Sequence, residues 1–553
     1  MHLIKKFGSN FLIEEAAEEW NAFKEYALYD IISMRKLYYM MPRINYPDGL
    51  EYQNWLINRG INDLGIRIDL ELAKSASMEA NIAYKKANDR FYKLTNINAT
   101  QNIKIVELLQ NKYNLNINSI SSHNVKYLLD SDDLCDEARN ILELKRSISA
   151  TTPKKYEVLL KSCVDERIFD TLQFMGASRT GRDAGRSFQP QNLKRPSLFK
   201  SYKTNEDEDK AIEKAVELVK QHRTSSLGDV FHVLSDLVRN VIIPSNGKKF
   251  VVADLSNIEG RVLPWLAGEQ YKVNNFKDYD AGVLQYDNYI MAYSKAMKID
   301  PKHVNKDMRS IGKVMELALG YGGGVATFSQ FAAIYGLNLE ELAHNVKDTL
   351  KNFKDVNIFN DLSYFNTNFN LTELEYKACN YLKVKWRMVH PRILAFWREL
   401  ENGFRYCIKY QNKIYKVGSK ILMKSTKEWL YVKLPSNRYL TYFKAGLSSE
   451  NNIYYIGKLK TAGVGRMYTY GGRLTENVTS AVARDILYQN LHKIKKSGYE
   501  PVLLVHDEIV AEASIEDRYN GDHLASLMSK QLHWCKDLPL SAAGFETFRY
   551  KGK

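Results

Sequence analysis

Cysteine is scarce. Five cysteines in 553 residues, Cys135, Cys163, Cys379, Cys407 and Cys535, lie far apart, with no Cys-x-x-Cys pair and no accompanying histidine spacing. That pattern excludes a zinc-finger motif and a disulfide framework. No apolar run reaches the roughly 18 residues a membrane span needs, and the N-terminus carries no signal-peptide pattern. The chain therefore reads as soluble, intracellular and free of membrane partners. Low-complexity tracts and internal repeats are absent too, which excludes a repeat architecture. Acidic residues are outnumbered, 64 against 79 Lys and Arg, leaving a net charge of +15. With 36 tyrosines, that excess suits an anionic polymer whose bases can stack on aromatics, although basic charge alone does not single out such a partner.

Against this background two carboxylates stand out. Asp254 ends the run Lys-Lys-Phe-Val-Val-Ala-Asp, and Asp507 sits in Pro-Val-Leu-Leu-Val-His506-Asp507-Glu508-Ile-Val, which reads as a tight hairpin. Neither acid is comfortable at an apolar strand end unless it is paired or holds a metal. Between them, Arg309, Lys313, Leu317 and Tyr321 recur every four residues. On a helix they form one slowly winding stripe about 18 Å long, roughly the reach of a nucleoside triphosphate. Its cations suit phosphates and its Leu and Tyr suit a base, while Gly322, Gly323 and Gly324 read as a helix end and hinge.

The segments Asp254-Leu-Ser256-Asn257-Ile258-Glu259-Gly-Arg261, the Arg/Lys/Tyr-Gly helix and His506-Asp507-Glu508 resemble, in order and spacing, the three polymerase motifs of family A DNA polymerases, bacteriophage branch. Thr180-Gly181-Arg182, Gln191-Asn192, Leu434-Pro435-Ser436-Asn437-Arg438 and Arg473-Leu474-Thr475-Glu476-Asn477 agree with the family as well. The resemblance runs from about residue 20 to the C-terminus. It implies an α+β right-hand fold with an antiparallel-sheet palm, helical fingers and a helical thumb. It further implies residues 1–45 as the end of an exonuclease domain, 46–160 as thumb, 161–262 and 440–553 as palm, and 263–439 as mostly helical fingers.

What the resemblance implies about chemistry is specific. Asp254 and Asp507 would hold two Mg²⁺ ions, replaceable by Mn²⁺, with Glu508 in an auxiliary role and Lys313 as proton donor to pyrophosphate. Arg309, Lys313, Leu317, Tyr321, Glu259 and His506 would bind the deoxynucleoside triphosphate or the primer end, Glu259 blocking a 2′-hydroxyl. Thr180, Arg182, Gln191, Asn192, Arg473 and Asn477 would contact primer-template DNA. Leu317 and Leu255 replace residues that are commonly aromatic in relatives, and Ser480 stands where phage relatives usually carry Gln. Tyr26 and Asp30 match the last exonuclease motif without the upstream Asp-x-Glu, so they read as vestigial or as completed by a separate chain. The protein itself is expected to be a monomer. The charged span 202–223 reads as a solvated helix, Pro264 should kink or shorten the helix after Asp254, and Trp386, His390 and Trp397 read as packing residues. Two rivals remain open at this point: a single-subunit RNA polymerase, and an inactive DNA-binding subunit that keeps the fold.

Overall fold

The computed structural model describes residues 13–42, 44–45, 49–129, 134–177, 179–194, 196–199, 201–202, 204–352, 371–459 and 463–552. Two compact units divide the chain between residues 53 and 54, inside the helix Leu50–Leu64. The first unit contains the helix Ala17–Met40, which carries Tyr26 and Asp30.

The second unit opens with helices. Helix α1 (Leu70–Thr95) is capped by Asp69, whose carboxylate accepts the Leu72 amide. Four shorter helices follow between residues 102 and 162; the apolar stripes of the first three close a core around Phe91, Ile105, Leu109, Ile141 and Leu142, while Tyr156 and Leu159 of the fourth join the core beneath the strand Lys248–Leu255. Helix α2 (Asn205–Lys220) occupies the charged span read as a solvated helix or connector. It is a helix, but not solvated on every face: Ile212, Ala215, Val216 and Val219 are buried. Its acids, moreover, meet cations from the far end of the chain. Lys551 Nζ reaches Glu208 and Asp209 at 2.7 and 2.8 Å, and Arg549 reaches Glu213 at 2.7 Å.

Strand β1 (Lys248–Leu255) is followed by α3 (Ile258–Ala267); the helix runs three residues past Pro264 and ends at Gly268, which takes left-handed backbone at φ +74°. A helical layer comes next: α4 (Gln270–Asp280), α5 (Asn288–Met297), α6 (Lys306–Leu319), α7 (Glu373–Val389) and α8 (Pro391–Lys409). Helices α5 and α6 approach closely because residue 312 is glycine; a Cβ there would sit 2.2 Å from the Tyr289 carbonyl oxygen.

The chain then forms a six-stranded antiparallel meander, β2 (Ile414–Val417), β3 (Ile421–Ser425), β4 (Trp429–Lys433), β5 (Tyr439–Leu447), β6 (Ile453–Lys458) and β7 (Val464–Thr469), each pairing with the next. The span 263–439, expected to be mostly helical, thus takes up strands from Ile414. Lys433 of β4 pairs with Tyr439 of β5, so the sheet continues across residues 439 and 440. The cause is local: Ile421, Met423 and Ser425 alternate inward with exposed Leu422 and Lys424, a period of two.

Helix α9 (Gly471–Lys496) is buried along most of its length and leads into β8 (Glu500–Val505), β9 (Glu508–Ser514) and β10 (Ala542–Thr547). These complete a four-stranded antiparallel sheet in the order β8-β9-β1-β10. Val251, Ala253 and Leu255 of β1 face a core shared with α3 and α9, whereas Phe250 and Val252 face one shared with α1 and α2. Covered on both faces, β1 is apolar without alternation from Phe250 to Ala253. Asp254 is its one acid, at the edge of that cover.

Candidate active site

The pairing of β1 with β9 sets Asp254 directly opposite Glu508, and the Leu255 amide donates to the Asp507 carbonyl at 3.1 Å. Directly opposed residues of an antiparallel pair share a face, so Asp254 and Glu508 project to the same side. Asp507 lies beside them in the two-residue His506–Asp507 turn. His506 holds φ +58°, and Asn257, just past β1, holds φ +51°. Both loops at the acids therefore use left-handed backbone on residues other than glycine, a strain that tertiary structure must hold. A cleft of about 420 Å³ opens over Asp254, His506, Asp507 and Glu508, with Gln191 and Asn192 on its rim and Arg239 in its wall.

Burial pushes the Asp507 carboxyl above the usual carboxylate range; the Arg182 guanidinium pulls it back, and the Glu259 charge adds to the rise. Glu508 does not face solvent. It is buried and accepts the Tyr550 hydroxyl at 2.7 Å; that hydroxyl in turn accepts Arg239 Nη1 at 3.1 Å. Among the described residues no group of three or more His, Cys, Asp or Glu side chains converges as a metal cage. Two hard carboxylates without a cage match magnesium, which takes one or two protein oxygens and leaves its other positions to water and substrate phosphates. Partial burial of Asp507 without full charge compensation is a further reason for a cation to be favourable there.

Helix α6 begins at Asn305, whose side chain accepts the Met308 amide. Ile311, Val314, Met315 and Ala318 pack inward, leaving Arg309, Lys313 and Leu317 half-buried on another face. Arg309 Nε donates to Asp287 at 2.7 Å, and Lys313 Nζ lies 4.2 Å from the centre of the Tyr335 ring. The helix ends at Leu319, so Tyr321 lies beyond it, a correction to the four-residue helical stripe. Tertiary contacts set this end. Trp397 Nε1 donates to the Gly320 carbonyl at 3.1 Å, Arg387 donates to the Gly323 carbonyl at 3.2 Å, and a Cβ on Gly472 would stand 2.2 Å from the Tyr321 carbonyl oxygen.

Behind α6, Trp386 and His390 do more than pack. Glu316 accepts Trp386 Nε1 at 2.9 Å, pairs with Lys272, and lies 3.7 Å from His390 Nε2. Burial raises the Glu316 carboxyl, yet Lys272 and its other partners hold it below its ordinary value; burial lowers His390 to about 3.

Glu259, the second residue of α3, receives three donors. Tyr321 Oη reaches Oε2 at 2.9 Å, while Ser480 Oγ and Arg182 Nη2 reach Oε1 at 2.6 and 2.9 Å. Thr180 lies beside Arg182, its carbonyl accepting Arg438 at 2.8 Å. Gln191 donates to the Leu504 carbonyl at 3.2 Å, and Asn192 is exposed. Arg473 is exposed on the first turn of α9, but Asn477 one turn later is buried and donates to Tyr442 Oη at 3.2 Å, facing protein rather than an open groove. Asp287, Arg239 and Tyr550 escaped sequence reasoning, and no local pattern flags them; each joins the site only through folding.

No family model matches the chain. The POL domain of Pol1 from M. smegmatis, solved in complex with DNA primer-template and dNTP, superposes with a TM-score of 0.54 at 14% identity, covering 90% of this chain and 69% of that one. A DNA polymerase of Bacillus phage SP02 is 32% identical over 563 residues, spanning 98% of this chain and 76% of the relative. The chain belongs to the family A DNA polymerases. It is a template-directed DNA polymerase, which sets aside the RNA polymerase and inactive-subunit rivals. The polymerase has the right-hand fold of that family, mixing helices with antiparallel sheets.

Proposed function

We propose that this polymerase extends a primer 3′-hydroxyl at the cleft between Asp254 and Asp507, taking deoxynucleoside triphosphates along the half-buried Arg309–Lys313–Leu317 face of α6. The observation that carries the reading is the β1–β9 register, which gathers Asp254, Asp507 and Glu508 at one cleft. Asp254 and Asp507 would hold two Mg²⁺ ions, which supply Lewis acidity toward the primer hydroxyl and the triphosphate. Arg309 and Lys313 neutralise charge on the leaving phosphates, and Lys313 is the proton donor to pyrophosphate. Arg309 must exchange Asp287 for the triphosphate when substrate arrives. Leu317 and Tyr321 offer the base its apolar surface, and Glu259, pinned beside Tyr321, faces the sugar. His506 meets the primer end at the exposed turn. Thr180, Arg182, Gln191, Asn192 and Arg473 track the primer-template, where Arg and amide donors can reach minor-groove acceptors common to all base pairs.

In this reading α1 and the small helices after it are the thumb, the sheet β8-β9-β1-β10 is the palm, and α4 to α8 are the fingers. The polymerase acts as a soluble monomer, in the cytoplasm of a bacterial host if it is phage-encoded. The deciding experiment is extension of a labelled primer on a DNA template with Mg²⁺, comparing the protein with Asp507→Ala. Extension with deoxynucleotides that vanishes in the variant supports the site; equal extension by both would refute it.

A further inference from the structure

Glu259 is held by three donors from three parts of the chain, and they differ in what substrate binding asks of them. Tyr321 follows α6, whose cations engage the triphosphate, and Arg182 belongs to the surface read as minor-groove contact. Both have competing partners once DNA and nucleotide arrive. Ser480 has none. It sits in the middle of α9, is 6% exposed, and its hydroxyl lies 2.6 Å from Glu259 Oε1. A hydrogen bond to a charged carboxylate is among the stronger ones, and it is made here from a helix buried over most of its length.

We propose that Ser480 is a positioning residue for sugar selection: it keeps the Glu259 carboxylate in one rotamer against the nucleotide sugar after Tyr321 and Arg182 have been drawn to other partners. The inference rests on Glu259 being the sugar gate. A glutamate side chain has three rotatable bonds, and a free one can swing aside for a 2′-hydroxyl whereas a tethered one cannot. Serine suits the task because its short side chain reaches Glu259 directly from the helix backbone. The glutamine usual at this position is two atoms longer and would carry its amide past the carboxylate.

The test measures kcat/KM for a deoxynucleotide and for the matching ribonucleotide in the wild type, Ser480→Ala, Ser480→Thr and Glu259→Ala. The selectivity ratio is read within each enzyme, so a lower folded fraction cancels. Ser480→Ala should lower discrimination against the ribonucleotide by about tenfold, with Ser480→Thr, which keeps the hydroxyl, close to wild type and Glu259→Ala lower still. Unchanged selectivity in Ser480→Ala beside relaxed selectivity in Glu259→Ala would overturn the role of Ser480 and leave the gate standing. Unchanged selectivity in Glu259→Ala would overturn the gate itself, and the inference with it.

Discussion

Asp254 and Asp507 become one site because the β1–β9 register sets Asp254 opposite Glu508, and the Leu255 amide extends that pairing to the Asp507 carbonyl. Replacing either acid with alanine should abolish primer extension while duplex affinity, measured by fluorescence anisotropy, stays within about threefold, since phosphate contacts dominate binding. Lost affinity with retained rate would contradict the assignment. His506 makes a sharper case. Its left-handed backbone favours glycine, so His506→Gly should leave stability unchanged or raise it by up to about 1 kcal/mol in chemical denaturation, while extension falls because the imidazole no longer meets the primer. A destabilised variant would mean that the imidazole supports the fold more than its backbone strains it.

At the scale of the element, α6 is anchored from behind by a buried ion pair. Lys272 and Glu316 have side chains 3% and 7% exposed, and Glu316 also receives Trp386. Removing one partner leaves a buried charge uncompensated, so Lys272→Met should destabilise the fold by about 3–5 kcal/mol. Replacing both by apolar residues should restore most of that loss. The same cluster sets an acid limit. His390 is neutral in the fold to about 3 but takes a proton near 6.5 when unfolded, so its contribution to stability drops progressively as pH falls from 6.5 toward 3. Glu316, with its carboxyl lowered in the fold, holds its contribution above the ordinary carboxylate value and loses it as pH falls below that. Both slopes have the same sign. Melting temperature should decline from pH 7 to pH 4, and His390→Gln should flatten the upper part of that decline.

Across the whole molecule, the net charge of +15 predicts a steep salt dependence. If six to ten phosphates are contacted, affinity for a primer-template should fall by about 10³–10⁵ between 50 and 200 mM salt. A flat response would place the basic residues away from the duplex. The molecule also ties its last residues to its catalytic sheet: Arg549 and Lys551 pair with α2 and, through Arg549, with Asp69 at the cap of α1, while Tyr550 between them bonds Glu508.

Sequence alone determined whatever short-range periodicity and turn chemistry encode. The strand ending at Asp254, the hairpin around His506 and Asp507, and the amphipathic start of α6 were legible because alternation, tight-turn geometry and four-residue spacing act between near neighbours. The ordered motifs carried the family and its right-hand fold. The alternating strands between 414 and 433 are also written locally, in the inward–outward alternation of residues 421–425. Only tertiary structure decided where α6 stops, because Trp397, Arg387 and Gly472 lie more than 60 residues away along the chain. It likewise decided that Asn477 turns inward and that Glu259 is shared by Tyr321, Arg182 and Ser480. A buried carboxylate must find its donors wherever packing brings them, and that choice depends on contacts between distant segments that no local pattern records.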